Sequence, residues 1–306
     1  MGEPVAAQLT IESFPASGAV DTGPWPAGPA KGIGALEGPV WTDTGAVVFV
    51  AMDHGFLYQW NPDGEVTLFA VPGGGPNGLA IGAHGDVYVA QNGGHGGASR
   101  RWPGITGGVQ IVSPDGRVSW LTQDPVAPND LCFGPDGMLY VTDPTRSPAR
   151  DDSRIWRCDP ATGESEIVAT PRWYANGIGF YDDALYVANT FERTIMRYAW
   201  RPGERLGAPE EFARLDRGLP DGFAFDQEGM LVIAAIGEGG APGDLPVVAP
   251  SGQVIERLSV GSGREYTNVA VAADGRLAVT DASEGRLLIA AGRPAGGAPL
   301  HRPNPG

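Results

Sequence analysis

Short apolar runs separated by Pro, Asp and Gly recur along the whole chain, and the stretch from Pro128 to Asp143 shows the pattern most fully. Asn129 stands before Leu131-Cys132-Phe133, Gly134-Pro135-Asp136-Gly137 interrupts, and Met138-Leu139-Tyr140-Val141 follows. This reads as two apolar strands joined by a tight turn whose glycine supplies positive φ. Three related stretches begin at Pro76-Asn77-Gly78, Ala175-Asn176-Gly177 and Pro220-Asp221-Gly222; Glu37-Gly38-Pro39 and Thr267-Asn268-Val269 open two looser copies. No window carries the periodicity of a long amphipathic helix.

The polar residue before each first strand falls at 37, 77, 129, 176, 221 and 268, a spacing of 40–52 residues. Several short strands per unit at that period predict an all-β fold, a six-bladed β-propeller with four-stranded blades. The third unit supplies strands over 129–133, 138–143, 154–159 and 164–169. The last unit supplies only three, so the alternating segment Gln8–Phe14 is expected to complete it and close the ring, which hides sheet edges. The whole chain, 1–306, then reads as one domain with a core of about 8–291, loose residues 1–7 and a flexible Pro/Gly tail over 294–306.

First strands line the channel of a propeller, so Glu37, Asn77, Asn129, Asn176, Asp221 and Asn268 are expected to converge near one mouth. Asn-Gly and Asp-Gly are also turn dipeptides, which explains any one of them. That account fails for Glu37 and for the register held across six units. Clustered oxygens cost desolvation and repulsion unless a positive group sits among them. A hard cation with oxygen ligands at about 2.3–2.6 Å suits the set, and Glu37 and Asp221 would balance a divalent charge.

Charge and composition narrow the function further. Twenty-one basic against 36 acidic residues give a net charge of −15, which argues against nucleic acid and anionic membrane as partners. Lys31 is the one lysine, which disfavours Schiff-base chemistry and a P-loop. No leader-like segment and no stretch of about 18 apolar residues is present, so a soluble cytoplasmic protein is expected, a monomer or weak homo-oligomer. Cys132 and Cys158 fall on the first and third strands of one blade, roughly 9–10 Å apart, too far for a disulfide. Gly73-x-Gly75-x-x-Gly78 leads into a strand and contains Pro76, so it is no dinucleotide fingerprint. No G-x-S-x-G or H-E-x-x-H occurs.

Glu37-Gly38-Pro39-Val40-Trp41, Pro128-Asn129-Asp130, Asn176-Gly177 and Pro220-Asp221-Gly222, in that order and spacing, resemble the gluconolactonase, senescence-marker-protein and luciferin-regenerating-enzyme family of six-bladed propellers. The resemblance covers about residues 36–291. It implies that Glu37, Asn129, Asn176 and Asp221 bind a divalent metal, calcium first, with Zn²⁺, Mg²⁺, Mn²⁺ or Fe²⁺ as alternatives. It also implies that Asp221 serves as catalytic base or nucleophile, and that a small lactone is the substrate. Asn77 and Asn268 match no family ligand as firmly and stand as pocket or supporting candidates. A phosphotriesterase-like hydrolase on the same site is the nearest rival; the related squid-type enzymes carry a His near the last blade's first strand, which Asn268–Ala272 lacks. A non-catalytic binding propeller with a structural metal is the rival from another class, and a strictosidine-synthase type, which wants a Glu base and no metal ring, fits less well.

Among the histidines, His84 and His301 read as solvent-facing, His54 as a loop residue, and His95 as the better pocket candidate. Trp173, Tyr174, Phe191 and Tyr266 either line an apolar pocket or pack between blades. Arg146 and Arg193 are the few charges expected near it, which favours a less polar lactone than a sugar lactone.

Overall fold

The computed structural model describes residues 5–8, 11–15, 35–94, 102–144, 152–290, 292–293 and 295–303. It is an all-β six-bladed propeller. From channel to rim, blade one runs Leu36–Trp41, Val47–Ala51, Phe56–Trp60 and Val66–Ala70. Blade two runs Pro76–Ile81, Val87–Asn92, Gly107–Val112 and Val118–Thr122; blade three runs Leu131–Phe133, Leu139–Asp143, Arg154–Cys158 and Ser165–Ala169. Blade four runs Ala175–Tyr181, Ala184–Asn189, Thr194–Ala199 and Glu210–Arg214; blade five runs Leu219–Phe225, Leu231–Ile236, Leu245–Val248 and Val254–Ser259. Blade six takes Tyr266–Val271, Leu277–Asp281 and Arg286–Ala290 from the end of the chain and its outer strand, Ile11–Pro15, from the beginning.

Turn chemistry sets the hairpins. Gly137 has φ 75°, and its N–H donates to Gly134 O at 2.9 Å, which closes the Gly134–Gly137 turn. Second strands are buried along both faces, as in Val47–Ala51, because each lies between two neighbouring blades. That explains their continuous apolar sequences, where a strand with one wet face would alternate. Six apolar clusters fill the six blade interfaces, including the closure, where Trp41, Phe49 and Trp60 of blade one meet Leu287 and Ile289 of blade six. The Trp41 indole also donates to Ala270 O across that seam at 3.2 Å.

Three expectations at the chain ends need correction. The closing strand is Ile11–Pro15, antiparallel to Arg286–Ala290, and not the whole of Gln8–Phe14. Val5–Gln8, expected to be loose up to residue 7, is a strand that adds parallel to the outer edge of blade five and covers it. The described part of the tail, 295–303, is docked. Gly297 N donates to Ala272 O at 2.7 Å, Ala298 N donates to Phe225 O at 2.9 Å, and Arg302 pairs with Asp43. Ala298 to His301 floor a cavity of about 150 Å³ at the lower end of the channel. Its wall takes one side chain from each blade: Trp41, Ile81, Phe133, Phe180, Phe225 and Val271. His301 therefore does not face solvent freely; its ring lies edge-on to Phe180, and burial pulls its pKa down. Cys132 and Cys158 are free thiols.

Candidate active site in the central channel

A β-bulge near the start of each first strand aims polar side chains into the channel. In blades two, four and five the register gains one residue at Asn77-Gly78, Asn176-Gly177 and Asp221-Gly222; in blade one it shifts between Glu37 and Val40. In blade three, Asn129 N and Asp130 O both pair with Thr142. A bulge bends the strand and re-aims its side chains, which is how buried strands deliver Glu37, Asn77, Asn129, Asn176 and Asp221 to one ring. All five are at most 9 % exposed.

Blade six departs from the expected ring. Its extra residue lies between Tyr266 and Asn268, so Thr267 stands at the ring position and Asn268 one step further down the channel. That lower tier holds Gly38, Gly78, Gly177 and Gly222 in four blades, and side chains only from Asp130 and Asn268. The glycines make room for them: a Cβ on Gly78 would meet Asp130 Oδ1 at 2.0 Å, and one on Gly222 would meet the Asn268 carboxamide at 2.1 Å. The Asn268 carboxamide reaches both the Glu37 and the Asp130 carboxylates. Asp130 lies within the Pro128-Asn129-Asp130 motif but has no site role in the sequence analysis, although the Asn-Asp step that replaces Asn-Gly in blade three marks it.

The electrostatics are those of an acidic pocket shielded from water. Burial pushes the Glu37 pKa well above the usual carboxylate range, and repulsion from Asp221 and Asp130 adds to it. Burial likewise raises Asp221, with Asp130 adding and a hydrogen bond from Asn176 opposing. Asp130 is pushed up to about 7 by burial, against hydrogen bonds from the Leu131 and Ile178 backbone and Asn268. Burial pushes the Tyr174 phenol up to about 12, with the charge of Asp221 helping.

Carboxamide orientation completes the donor set. Asn176 Nδ2 lies 3.1 Å from Thr190 Oγ1, and Asn176 Oδ1 is buried with no partner. Asn77 Oδ1 is likewise buried and unpartnered. Asn129 Nδ2 donates to the Tyr174 hydroxyl at 3.4 Å. Orphaned carbonyl oxygens beside two carboxylates that repel one another fit a hard divalent cation. Among the described residues no three His, Cys, Asp or Glu side chains group as metal ligands, so a cation held here depends on carboxamides as well.

The other candidates fall in different places. Tyr174 leans over the ring with Phe191 against it. Tyr266 is fully buried in the core between blades five and six, because it precedes the bulge and points the opposite way from the ring residue. Trp173 packs on the core between blades three and four. Neither faces the channel as a pocket wall. His54 lies against Phe56 and His84 is exposed in its turn. Arg193 is held by Glu238 at 3.0 and 2.7 Å. His95 and Arg146 lie outside the described residues. Three threonines, invisible to the sequence reading, tie neighbouring blades at ring level: Thr142 Oγ1 donates to Asn176 O, Thr190 Oγ1 to Pro220 O and Thr267 Oγ1 to Leu36 O. Among the described residues no helix is long and apolar enough to cross a membrane.

Comparison with known proteins gives the same architecture. A gluconolactonase of Zymomonas mobilis is 25% identical over 294 residues, covering 83% of this chain and 77% of the relative. The structure of a gluconolactonase from Xanthomonas campestris superposes with a TM-score of 0.69 at 24% identity, covering 85% of this chain and 86% of the other. A calcium-binding protein, regucalcin, from Agrobacterium tumefaciens superposes with a TM-score of 0.68 at 20% identity, covering 88% and 94%. Residues 36–283 match the SMP-30/Gluconolactonase/LRE-like region, and the chain belongs to that family.

Proposed function

We propose that this chain is a metal-dependent lactonase that opens a small lactone at a divalent cation, calcium first, in the upper channel. The observation that carries the reading is the buried oxygen ring itself: Glu37 and Asp221 beside the unpartnered Asn176 Oδ1. The likeness to the gluconolactonase of Zymomonas mobilis supports the reaction class, and the regucalcin structure, described as calcium-binding, supports calcium as the first cation to test.

Glu37, Asn129, Asn176 and Asp221 would hold the cation. Once bound, it supplies Lewis-acid polarisation of the lactone carbonyl and a counter-charge for the developing oxyanion. The chain supplies the rest. Glu37 and Asp221 provide two negative charges that match a divalent ion. Tyr174 covers one side of the ring and limits water at the reacting carbonyl. Asp221 takes the proton from the attacking water as its oxygen bonds to the carbonyl carbon. The ring C–O bond then breaks, the proton passes to the leaving alkoxide, and a hydroxy acid results.

The test separates chemistry from coordination. Asp221→Asn keeps an oxygen of nearly the same shape but loses the basic site. Turnover of a reactive lactone should fall about 10²–10⁴-fold, with metal content on the same preparation reduced far less. Turnover within a few-fold of the parent at full occupancy would remove Asp221 as the base.

A further inference from the structure

We infer that Thr190 is a positioning residue: its hydroxyl turns the Asn176 carboxamide so that the oxygen faces the cation site. The inference rests on the metal reading above. A threonine hydroxyl has one hydrogen and two lone pairs. That hydrogen is committed, because Thr190 Oγ1 lies 2.8 Å from the Pro220 carbonyl oxygen, which can only accept. Toward Asn176 the hydroxyl can therefore only accept, so the carboxamide atom 3.1 Å away is the nitrogen. The same carboxamide hydrogen-bonds the Asp221 carboxylate, which in its ionised form can also only accept. Rotating the carboxamide by half a turn would set oxygen against oxygen at both contacts. The remaining atom, Asn176 Oδ1, is buried without a partner and is the one left for a cation.

One hydroxyl also couples two ligands from different blades. Asn176 belongs to blade four, and Pro220 directly precedes Asp221 on blade five. Thr190 follows the second strand of blade four and is 4 % exposed, so its geometry is fixed by packing. Thr142 and Thr267 make the matching bond to the next blade, but what they receive is the Asp130 N–H and the Thr280 hydroxyl, not a ring carboxamide. Residues that orient a metal ligand without touching the metal typically alter affinity by 10–100-fold when removed.

The test is calcium binding to chelator-stripped protein, measured by calorimetry with the ion alone, beside the melting temperature in chelator. Thr190→Val keeps the shape and removes the hydroxyl; Thr190→Ser restores it. The Val variant should bind calcium about 10–100-fold more weakly while melting cooperatively in chelator, and the Ser variant should return to within about threefold of the parent. An unchanged calcium Kd in Thr190→Val would overturn the inference alone. Loss of cooperative melting in both Thr190→Val and Thr190→Ala would make the residue structural and overturn it as well. A parent protein that binds none of calcium, zinc, magnesium, manganese or ferrous iron would overturn the metal reading together with it.

Discussion

The Tyr174 hydroxyl sits 3.4 Å from the Asn129 carboxamide nitrogen, and its ring meets Phe191 edge-on with centroids 5.2 Å apart. Phe191 is 49 % exposed, so the aromatic pair forms an apolar wall that reaches from the ring to solvent. The nearby Arg193 is paired with Glu238 at 2.7 Å. Phe191→Ala should therefore raise KM for a lactone with an alkyl or aryl substituent by roughly tenfold, the worth of one aromatic contact. KM for a polyhydroxylated lactone should move less. Side-by-side kinetics on the two substrates decide it, and a larger effect on the sugar lactone contradicts the wall.

Buried carboxylates make the stripped protein sensitive to alkali. Glu37, Asp130 and Asp221 are all harder to ionise in the fold than in an unfolded chain. The folded state therefore holds more protons than the unfolded state as pH rises from about 4, and stability falls through that window. For Asp130, with an ordinary value of 3.8 and a folded value of about 7, the loss is complete above pH 7. Melting temperature in chelator should fall between pH 5 and 8, calcium should restore it more at pH 8 than at pH 5, and Asp130→Asn should flatten the slope. A melting temperature that rises over that range in chelator would show that the carboxylates are not packed together.

The blade count was legible because one polar residue marks every first strand at a steady period, and each strand is too short and apolar to be anything else. Closure was legible because the last unit lacked a strand. The ring register in blade six was not. Thr267-Asn268 offers two adjacent polar residues, and only the bulge between Tyr266 and Asn268 decides which one stands at ring level. The direction of Tyr266 follows from the same bulge. The docked tail was illegible for a different reason: Pro/Gly composition reads as disorder, while its binding site is assembled from all six first strands. Thr190 looks like any other threonine until its two hydrogen-bond partners are seen in space.

Removing the tail should uncover the lower chamber. Truncation after Gly296 deletes the bonds from Gly297 N and Ala298 N, the Arg302–Asp43 pair and the apolar floor. Two backbone hydrogen bonds at about 1 kcal/mol each, plus the exposed apolar wall, predict a loss of about 2–4 kcal/mol in denaturant unfolding. The proposed cation ligands lie on the tier above, so calcium affinity should change less than threefold. Unaltered stability would mean that the tail contributes nothing to the fold.

The central claim is that ring opening depends on a cation held by Glu37, Asn129, Asn176 and Asp221. The most direct measurement is lactone turnover by chelator-stripped protein as calcium is titrated back. Turnover should be abolished in chelator and recover with a stoichiometry of one ion per chain. Glu37→Gln, which removes one ligand charge, should shift the recovery to higher calcium while the metal-free fold stays intact. Full turnover in protein shown to contain no metal would contradict the account.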